Sequence, residues 1–216
     1  MKLETIPTGP ADRNEIRRYM GYYRIPGAEN QPGESFEMDP DNGAADTDAL
    51  IERALSIAAG ALEDTVLSER YPLQVENGTV LFGSCSFESK DLARRLSGCS
   101  EVVLFAATSG FRLDRLIEKY KRTEPATAYA LSMVGTEHTE ALCDAFCRRL
   151  TEEVLTEGKE PVLRYSPGYG DLPLIVQKDI FRQLDITRRI GVTLNESMLM
   201  TPVKTVTAIV GLRRKA

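Results

Sequence analysis

The stretch Arg164-Tyr165-Ser166-Pro167-Gly168-Tyr169 combines residue types that suit one kind of ligand. Arg164 presents a planar guanidinium, which can hold a carboxylate through two parallel hydrogen bonds. Gly168 allows the backbone to approach a ligand closely. Tyr169 offers an electron-rich ring face that attracts a cation. An amino acid that carries an additional positive centre has the matching groups, and S-adenosylmethionine, with its sulfonium, is such a ligand.

Composition and charge argue against several classes of protein. The chain has 216 residues, of which 42% are hydrophobic and 27% charged, an ordinary globular mixture. The net charge of -5 and the isoelectric point near 5.2 argue against nucleic-acid binding, because phosphate contacts need a basic face. We expect no membrane span, because no apolar run is long enough to cross a bilayer. Four cysteines without an apolar signal core over residues 1–11 lead us to expect reduced thiols and a cytoplasmic protein.

The hydrophobic pattern predicts an alternation of helices and strands that would position these residues. An Asn77-Gly78 turn between two apolar runs is a strong hairpin signal, and Asp46 can cap a long helix. The elements predicted for the first half are helix 12–20, an extended surface segment over 26–43, helix 46–63, strands 71–75 and 79–82, helix 89–96 and buried strand 101–107. Those predicted for the second half are a turn at 108–110 into a helix through residue 120, helix 125–156, strand 162–163, helix 174–190, and strands 195–200 and 203–212.

Four segments, in a fixed order, resemble the reactivation domain of cobalamin-dependent methionine synthase. They are Val103 to Gly110 with Asp114-Arg115-Leu116, the helix from Ala141 through Thr151-Glu152, the Arg-x-x-x-Gly-Tyr pattern at 164–169, and 191–202, with its Gly, Leu-x-Glu-Ser and Met-x-Pro. Any one of these is short, but their order and spacing together are specific. The first hundred residues resemble the family poorly, because they lack the aspartate-tryptophan segment with which the larger enzyme's domain begins. The family's acidic ligand contact in that segment therefore has no match here.

The resemblance implies an architecture. We expect an α+β fold in a single domain over 1–216, with a twisted, largely antiparallel central sheet flanked by helices. Residues 101–202 carry the resemblance, and residues 1–45 form an irregular N-terminal segment. The chain resembles a free-standing version of the domain.

The resemblance also implies a reaction. In the family, the domain binds S-adenosylmethionine and rescues an enzyme whose cobalt has been oxidised to cob(II)alamin. One electron from a flavodoxin-like or ferredoxin donor gives cob(I)alamin, and methyl transfer from the sulfonium traps it as methylcobalamin. We therefore expect a partner that presents the cobalamin, either a cobalamin-dependent methionine synthase core or another corrinoid protein.

The family pattern assigns roles to particular residues. Arg164 would clamp the carboxylate of the ligand, Ser166 and Gly168 would offer backbone groups, and Tyr169 would lie near the ligand. Asp144 occupies an acidic position of the family and could pair with the α-ammonium, although a longer glutamate is expected there.

Glu196 lies in the family's Glu-Ser segment, where it either contacts the ligand or holds the loop. No residue is assigned to a metal: Cys143 and Cys147 share a helix face without further ligands at matching spacing, which favours apolar packing. His138, the single histidine, lacks the Asp-x-His-x-x-Gly context of a corrinoid-binding module, so the corrinoid would belong to a partner.

Alternatives remain at this stage, both for the residues and for the whole chain. Arg164 could form a structural salt bridge, Gly168 a plain tight turn, Tyr169 a packing contact, and Asp144 part of a solvated helix face. The chain could bind S-adenosylmethionine or S-adenosylhomocysteine as a sensor without transferring a methyl group. It could also activate a different corrinoid methyltransferase.

Overall fold

The computed structural model describes residues 1–21 and 44–215, which form two compact units. The first unit comprises Met1–Gly9, Glu63–Phe111 and Thr139–Ala216, and the second comprises Pro10–Leu62 and Arg112–His138. The extended segment predicted over 26–43 lies outside the described residues. The helices are α1 (Arg13–Tyr19), α2 (Ala44–Ala58), α3 (Lys90–Arg95), α4 (Phe111–Thr123), α5 (Pro125–Leu155), α6 (Gln177–Leu184) and α7 (Ile186–Ile190). The strands are β1 (Lys2–Glu4), β2 (Thr65–Pro72), β3 (Gln74–Glu76), β4 (Thr79–Phe82), β5 (Cys85–Glu88), β6 (Cys99–Thr108), β7 (Lys159–Pro161), β8 (Thr193–Leu194), β9 (Met200–Thr201) and β10 (Thr205–Arg214).

The first unit is built on a five-stranded antiparallel sheet in the order β1-β2-β6-β10-β7. Strand β6 lies at its centre and pairs with β2 on one side and β10 on the other. Its continuous apolar run from Val102 to Ala107 is buried throughout, because side chains on both faces of the sheet are covered. The α+β class and the antiparallel central sheet are therefore confirmed.

Each face of this sheet packs against its own layer. On one face, Phe105 of β6 meets Phe146 of α5, with ring centroids 4.6 Å apart. On the other face, Leu104 and Ile209 belong to a core that includes Leu92 of α3 and Ile180 of α6, together with the small sheet β3-β4-β5. The second half of α5 therefore covers one face of the sheet, and α3 and α6 cover the other face.

The second unit contains α1, α2, nearly all of α4 and the first part of α5, with a core that includes Ile16, Ile51 and Leu131. Asp12 caps α1 as its side chain accepts hydrogen bonds from the backbone N–H groups of residues 14 and 15. Arg17 of α1 forms an ion pair with Asp48 of α2 at 2.6 Å. No described helix has both the length and the apolar character that crossing a bilayer requires.

Several predicted boundaries are wrong, each for a local reason. Helix α2 begins before Asp46, which therefore lies in its first turn, and it ends at Ala58 rather than near residue 63. The helix predicted over 174–190 is divided at Asp185, which adopts a left-handed conformation with φ 51°. The strand predicted over 195–200 is mostly a tight loop, because the Asn195 side chain accepts the N–H of Leu199 at 2.9 Å.

Candidate functional site

The segment that follows β7 runs along the edge of β10 and then leaves it. Val162 N–H donates to the Gly211 carbonyl at 2.9 Å, and Tyr165 exchanges two hydrogen bonds of 2.9 Å with Ile209. After Tyr165 the chain turns away at Ser166. Because backbone groups alternate in direction along a strand, Thr207 directs its N–H and C=O toward the same edge as Ile209. This part of the edge borders a cavity.

The cavity has a volume of about 430 Å³ and lies entirely within the first unit. This volume falls within the range of small-molecule sites. Its walls come from α3, α5, α6, the 164–169 segment, β9 and β10. The lining residues are Arg95, Glu140, Arg164, Tyr165, Ser166, Pro167, Tyr169, Gln177, Met200, Thr205, Val206 and Thr207.

Arg164 is held between two carboxylates of α5. Its Nη2 lies 2.5 Å from Glu140 Oε2, and its Nη1 lies 3.1 Å from Asp144 Oδ1. Burial disfavours the charged form of the guanidinium, but Cys143 and the two carboxylates outweigh this effect and raise the pKa of Arg164. The arginine is therefore a fixed cation in the wall of the cavity.

Three of the lining residues carry a buried polar atom that has no hydrogen-bond partner within residues 1–21 and 44–215. These atoms are Nη1 of Arg164, Oε1 of Gln177 and Oγ1 of Thr207. Nη1 is within ion-pair distance of Asp144, but the contact lacks hydrogen-bond alignment. Leaving a buried polar group unpaired costs about 1–3 kcal/mol, and such groups are rare in native proteins. These three atoms are polar groups around one cavity that a polar ligand or water could satisfy.

Aromatic side chains form one rim of the cavity. The Tyr165 hydroxyl donates to the Tyr169 carbonyl at 2.9 Å, and the two ring centroids are 6.3 Å apart. The Arg95 guanidinium lies 5.1 Å from the centroid of the Tyr165 ring. Tyr169 is 66% exposed, so much of this residue is accessible from solvent.

Three of the six residues predicted for the site line this cavity, namely Arg164, Ser166 and Tyr169. Gly168 does not line it. Its φ of 90° and the hydrogen bond from its N–H to the Leu172 carbonyl at 2.9 Å show that it serves a tight turn. The glycine therefore shapes the loop that carries Arg164 and Tyr169.

The remaining two candidates, which are both acidic, do not line this cavity. Asp144 contacts Arg164 but lines a neighbouring cavity, and its side chain is 60% exposed. Glu196 is exposed in the loop between β8 and β9 and lines none of the cavities described here.

Sequence reasoning missed Glu140, Gln177 and Thr207. The sequence could have indicated Glu140, because a residue four positions before Asp144 lies on the same face of the helix. Gln177 and Thr207 carry no motif, and only the fold brings them to the cavity. Cys143 and Cys147 are unpaired thiols, and burial raises the pKa of Cys143 to about 12. Within residues 1–21 and 44–215, no group of three or more His, Cys, Asp or Glu residues is arranged to hold a metal ion.

Comparison with known families identifies one family, and comparison with solved structures shows a similar fold. The model for "Vitamin B12 dependent methionine synthase, activation domain" matches residues 90–216, which is more than half of the chain. The structure is similar to the crystal structure of the MetH reactivation domain bound to AdoHcy, with a TM-score of 0.64 and 14% sequence identity. The similarity covers 98% of this chain and 78% of that one. No curated protein sequence matches significantly.

Proposed function

The chain belongs to the activation-domain family of vitamin B12 dependent methionine synthases, and from this premise we propose that its cavity at Arg164 binds an adenosyl amino acid. The ligand would be S-adenosylmethionine or its demethylated product, S-adenosylhomocysteine. The observation that carries the proposal is the set of three unpaired buried polar atoms on Arg164, Gln177 and Thr207.

The charges of the cavity match the zwitterionic end of such a ligand. The carboxylate would bond to Arg164, whose Nη1 lacks a hydrogen bond, and the α-ammonium would pair with Glu140. Ligand binding would thus replace the Arg164–Glu140 ion pair with two pairs of opposite charge. The backbone of Thr207 and the polar atoms of Gln177 would satisfy the remaining groups.

Tyr169 suits the positive centre of S-adenosylmethionine. A sulfonium near an exposed tyrosine face is stabilised by the ring quadrupole, by about 0.5–2 kcal/mol. S-adenosylhomocysteine lacks this charge. Replacement of Tyr169 by leucine should therefore weaken S-adenosylmethionine binding more than S-adenosylhomocysteine binding.

For Asp144, the geometry favours a role other than the ammonium contact that the family pattern implies. It lies 3.1 Å from Arg164 Nη1 and lines the neighbouring cavity. We propose that it holds the guanidinium and competes with the ligand carboxylate. Asp144→Asn should then tighten ligand binding severalfold, whereas Glu140→Gln should weaken it. A loss of affinity in Asp144→Asn would restore the ammonium role.

The reaction that this binding would support is the reductive methylation of cob(II)alamin, which reactivates a methionine synthase. A donor of the flavodoxin or ferredoxin class supplies one electron, and a partner presents the corrinoid. The electron would reduce the cobalt, whose electron pair would bond to the methyl group, and the S–CH₃ bonding pair would remain on the sulfur of S-adenosylhomocysteine. This chain would hold the methyl donor in line, which converts an encounter into an effectively unimolecular step. We place the activity in the cytoplasm, which agrees with the four unpaired cysteines.

Calorimetry with both adenosyl ligands tests the binding. Arg164→Ala should weaken binding by about 2–4 kcal/mol, the scale of losing one partner of a desolvated charge pair. Arg188→Ala, an exposed arginine outside the cavity, is the matched control and should bind normally. Unchanged affinity in Arg164→Ala would remove this arginine from the site.

Spectroscopy with a corrinoid partner tests the reaction. The protein is mixed with a cob(II)alamin-bearing methionine synthase core, a reductant and S-adenosylmethionine, and the formation of methylcobalamin is followed by absorbance. Tight binding without methylcobalamin would favour a sensor instead. Methylation of only a different corrinoid protein would favour an activator of that methyltransferase.

A further inference from the structure

A second cavity, of about 620 Å³, adjoins the first one and is not explained by the proposed function. Arg95 and Arg164 line both cavities. The second cavity is otherwise formed by the second half of α5, by the end of β7 and the segment that follows it, and by β10. Its remaining lining residues are Asp144, Cys147, Arg148, Thr151, Pro161, Val162, Leu163 and Val210.

The charge of this second cavity is positive. Three guanidinium groups line it, and both of the carboxylates beside them, Asp144 in this cavity and Glu140 in the first one, pair with Arg164. Among the described residues, neither Arg95 nor Arg148 has a carboxylate within ion-pair distance, and Arg164 Nη1 is buried without a hydrogen bond. Arg95 and Arg148 therefore give this cavity a surplus of positive charge, which attracts an anion.

The other half of the cavity wall is apolar. Val162 and Val210 contribute aliphatic surface, and Leu163 is 78% exposed, the largest exposure among the large hydrophobic side chains described. A free inorganic anion would leave this surface in water. A ligand that carries both an anionic group and a flat or apolar body would cover it, at about 25 cal/mol per Å² of apolar area.

We propose that the second cavity binds an organic phosphate of the nucleotide class. A phosphate group carries about two negative charges at neutral pH, which matches the two arginines that lack carboxylate partners. Arginine forks bind phosphate oxygens through parallel hydrogen bonds, and guanidinium planes also stack on aromatic rings. The nucleoside part would lie against Val162 and Leu163.

The shared arginine couples the two cavities. A phosphate that draws Arg164 toward the second cavity leaves it less available to a carboxylate in the first one. Each ligand would then weaken the other by the same factor, because coupling between binding sites is reciprocal. The nucleotide would thus regulate occupancy of the adenosyl site rather than occupy it.

Binding of AMP, measured by calorimetry at low salt, tests this proposal, with adenosine and inorganic phosphate as separate probes. We expect AMP to bind more tightly than either probe. Arg148→Ala should weaken AMP roughly tenfold, as for loss of a charged hydrogen bond, and Arg148→Lys should weaken it less. Arg148 is exposed and lines only the second cavity, so its variants should fold and retain affinity for S-adenosylhomocysteine. Arg122→Ala, an exposed arginine outside both cavities, is the control and should bind AMP normally.

Two results would overturn the proposal. One is AMP binding that is the same in Arg148→Ala and the wild type. The other is purely competitive displacement of AMP by S-adenosylhomocysteine. In that case the apparent Kd of AMP keeps rising as the S-adenosylhomocysteine concentration rises, instead of reaching a plateau. Competition would mean that AMP occupies the first cavity through its adenosyl group. Neither result depends on methyl transfer, and failure of S-adenosylhomocysteine to bind at all would count against the proposed function alone.

Discussion

Thr205 and Thr207 stand two residues apart on β10, and both are buried at the first cavity, but their hydroxyl groups have different surroundings. The Thr205 hydroxyl lies 2.9 Å from the Thr108 hydroxyl and 2.8 Å from the Pro202 carbonyl. The Thr207 hydroxyl has no partner. Replacing each by valine, which has nearly the same shape, therefore compares a hydroxyl that makes structural hydrogen bonds with one that is available to a ligand.

Thr207→Val should keep or slightly raise the free energy of unfolding without ligand, because the unpaired hydroxyl costs about 1–3 kcal/mol to bury. The same change should weaken S-adenosylhomocysteine binding. Thr205→Val is the control for stability and should lose about 1 kcal/mol or more, because it breaks satisfied hydrogen bonds. Urea denaturation and calorimetry give both quantities. A Thr207→Val protein with lower stability and normal binding would show that the hydroxyl has a structural partner.

At the level of single residues, the sequence indicated Arg164, which lines the first cavity, but not the residues that surround it there. Arg164 could be identified because its chemistry and its pattern lie within six residues. Gly168 was placed in the right loop, but its positive φ serves a turn rather than close contact with the cavity. Gln177 lies thirteen residues after Arg164, and Thr207 lies forty-three residues after it. No local sequence pattern predicts that α6 and β10 bring these two residues to the same cavity as Arg164.

Charged side chains at one end of the central sheet join three of its strands. Arg70 of β2 lies 2.7 Å from Glu101 of β6 and 2.8 Å from Glu157, and Lys159 of β7 also contacts Glu101. The hydrogen bond from Arg70, opposed by slight desolvation, lowers the pKa of Glu157 from 4.5 to about 2. The pKa of Glu101 is lowered by the same arginine.

These lowered pKa values predict how the stability depends on pH. Between pH of about 4.5 and about 2, the Glu157 carboxylate takes up a proton in the unfolded chain but stays ionised in the folded chain. The free energy of unfolding therefore falls as the pH falls. Above pH 4.5 the contribution is fully present. Glu157→Gln should flatten this part of the curve in urea denaturation, and Glu76→Gln, an exposed glutamate on β3, should not. Parallel curves for Glu157→Gln and the wild type would show that the ion pairs contribute nothing.

The elements of the sheet were predictable where a single pattern decides them. The apolar run of β6 indicates a strand buried on both faces, and Asn77-Gly78 gives the hairpin of β3 and β4. The strand predicted over 195–200 failed because the Asn195 side chain and the left-handed Met198, with φ 62°, close a loop between two short strands. Side-chain bonding to the backbone competes with strand pairing there, and hydrophobicity alone does not reveal it.

For the whole molecule, the division into two units makes a prediction about ligand binding. Every residue that lines the first cavity belongs to the first unit, and α1 and α2 belong to the second. A ligand that binds only the folded form stabilises it by about 2.7 kcal/mol at one hundred times its Kd. The bound ligand therefore suppresses the local unfolding events that disrupt the cavity, and these events involve the first unit.

Hydrogen exchange with and without S-adenosylhomocysteine tests this prediction. Protection should rise in α3, α6, β10 and the segment 164–169, and the amides of α1 and α2 should exchange at the same rate as before. Arg164→Ala at the same ligand concentration is the control, because it should show little change in either unit. Equal gains of protection in both units would mean that they open as one cooperative body, and that ligand binding at the edge of β10 stabilises all of the described chain. Gains confined to α1 and α2 would place the ligand outside the cavity and would contradict the proposed site.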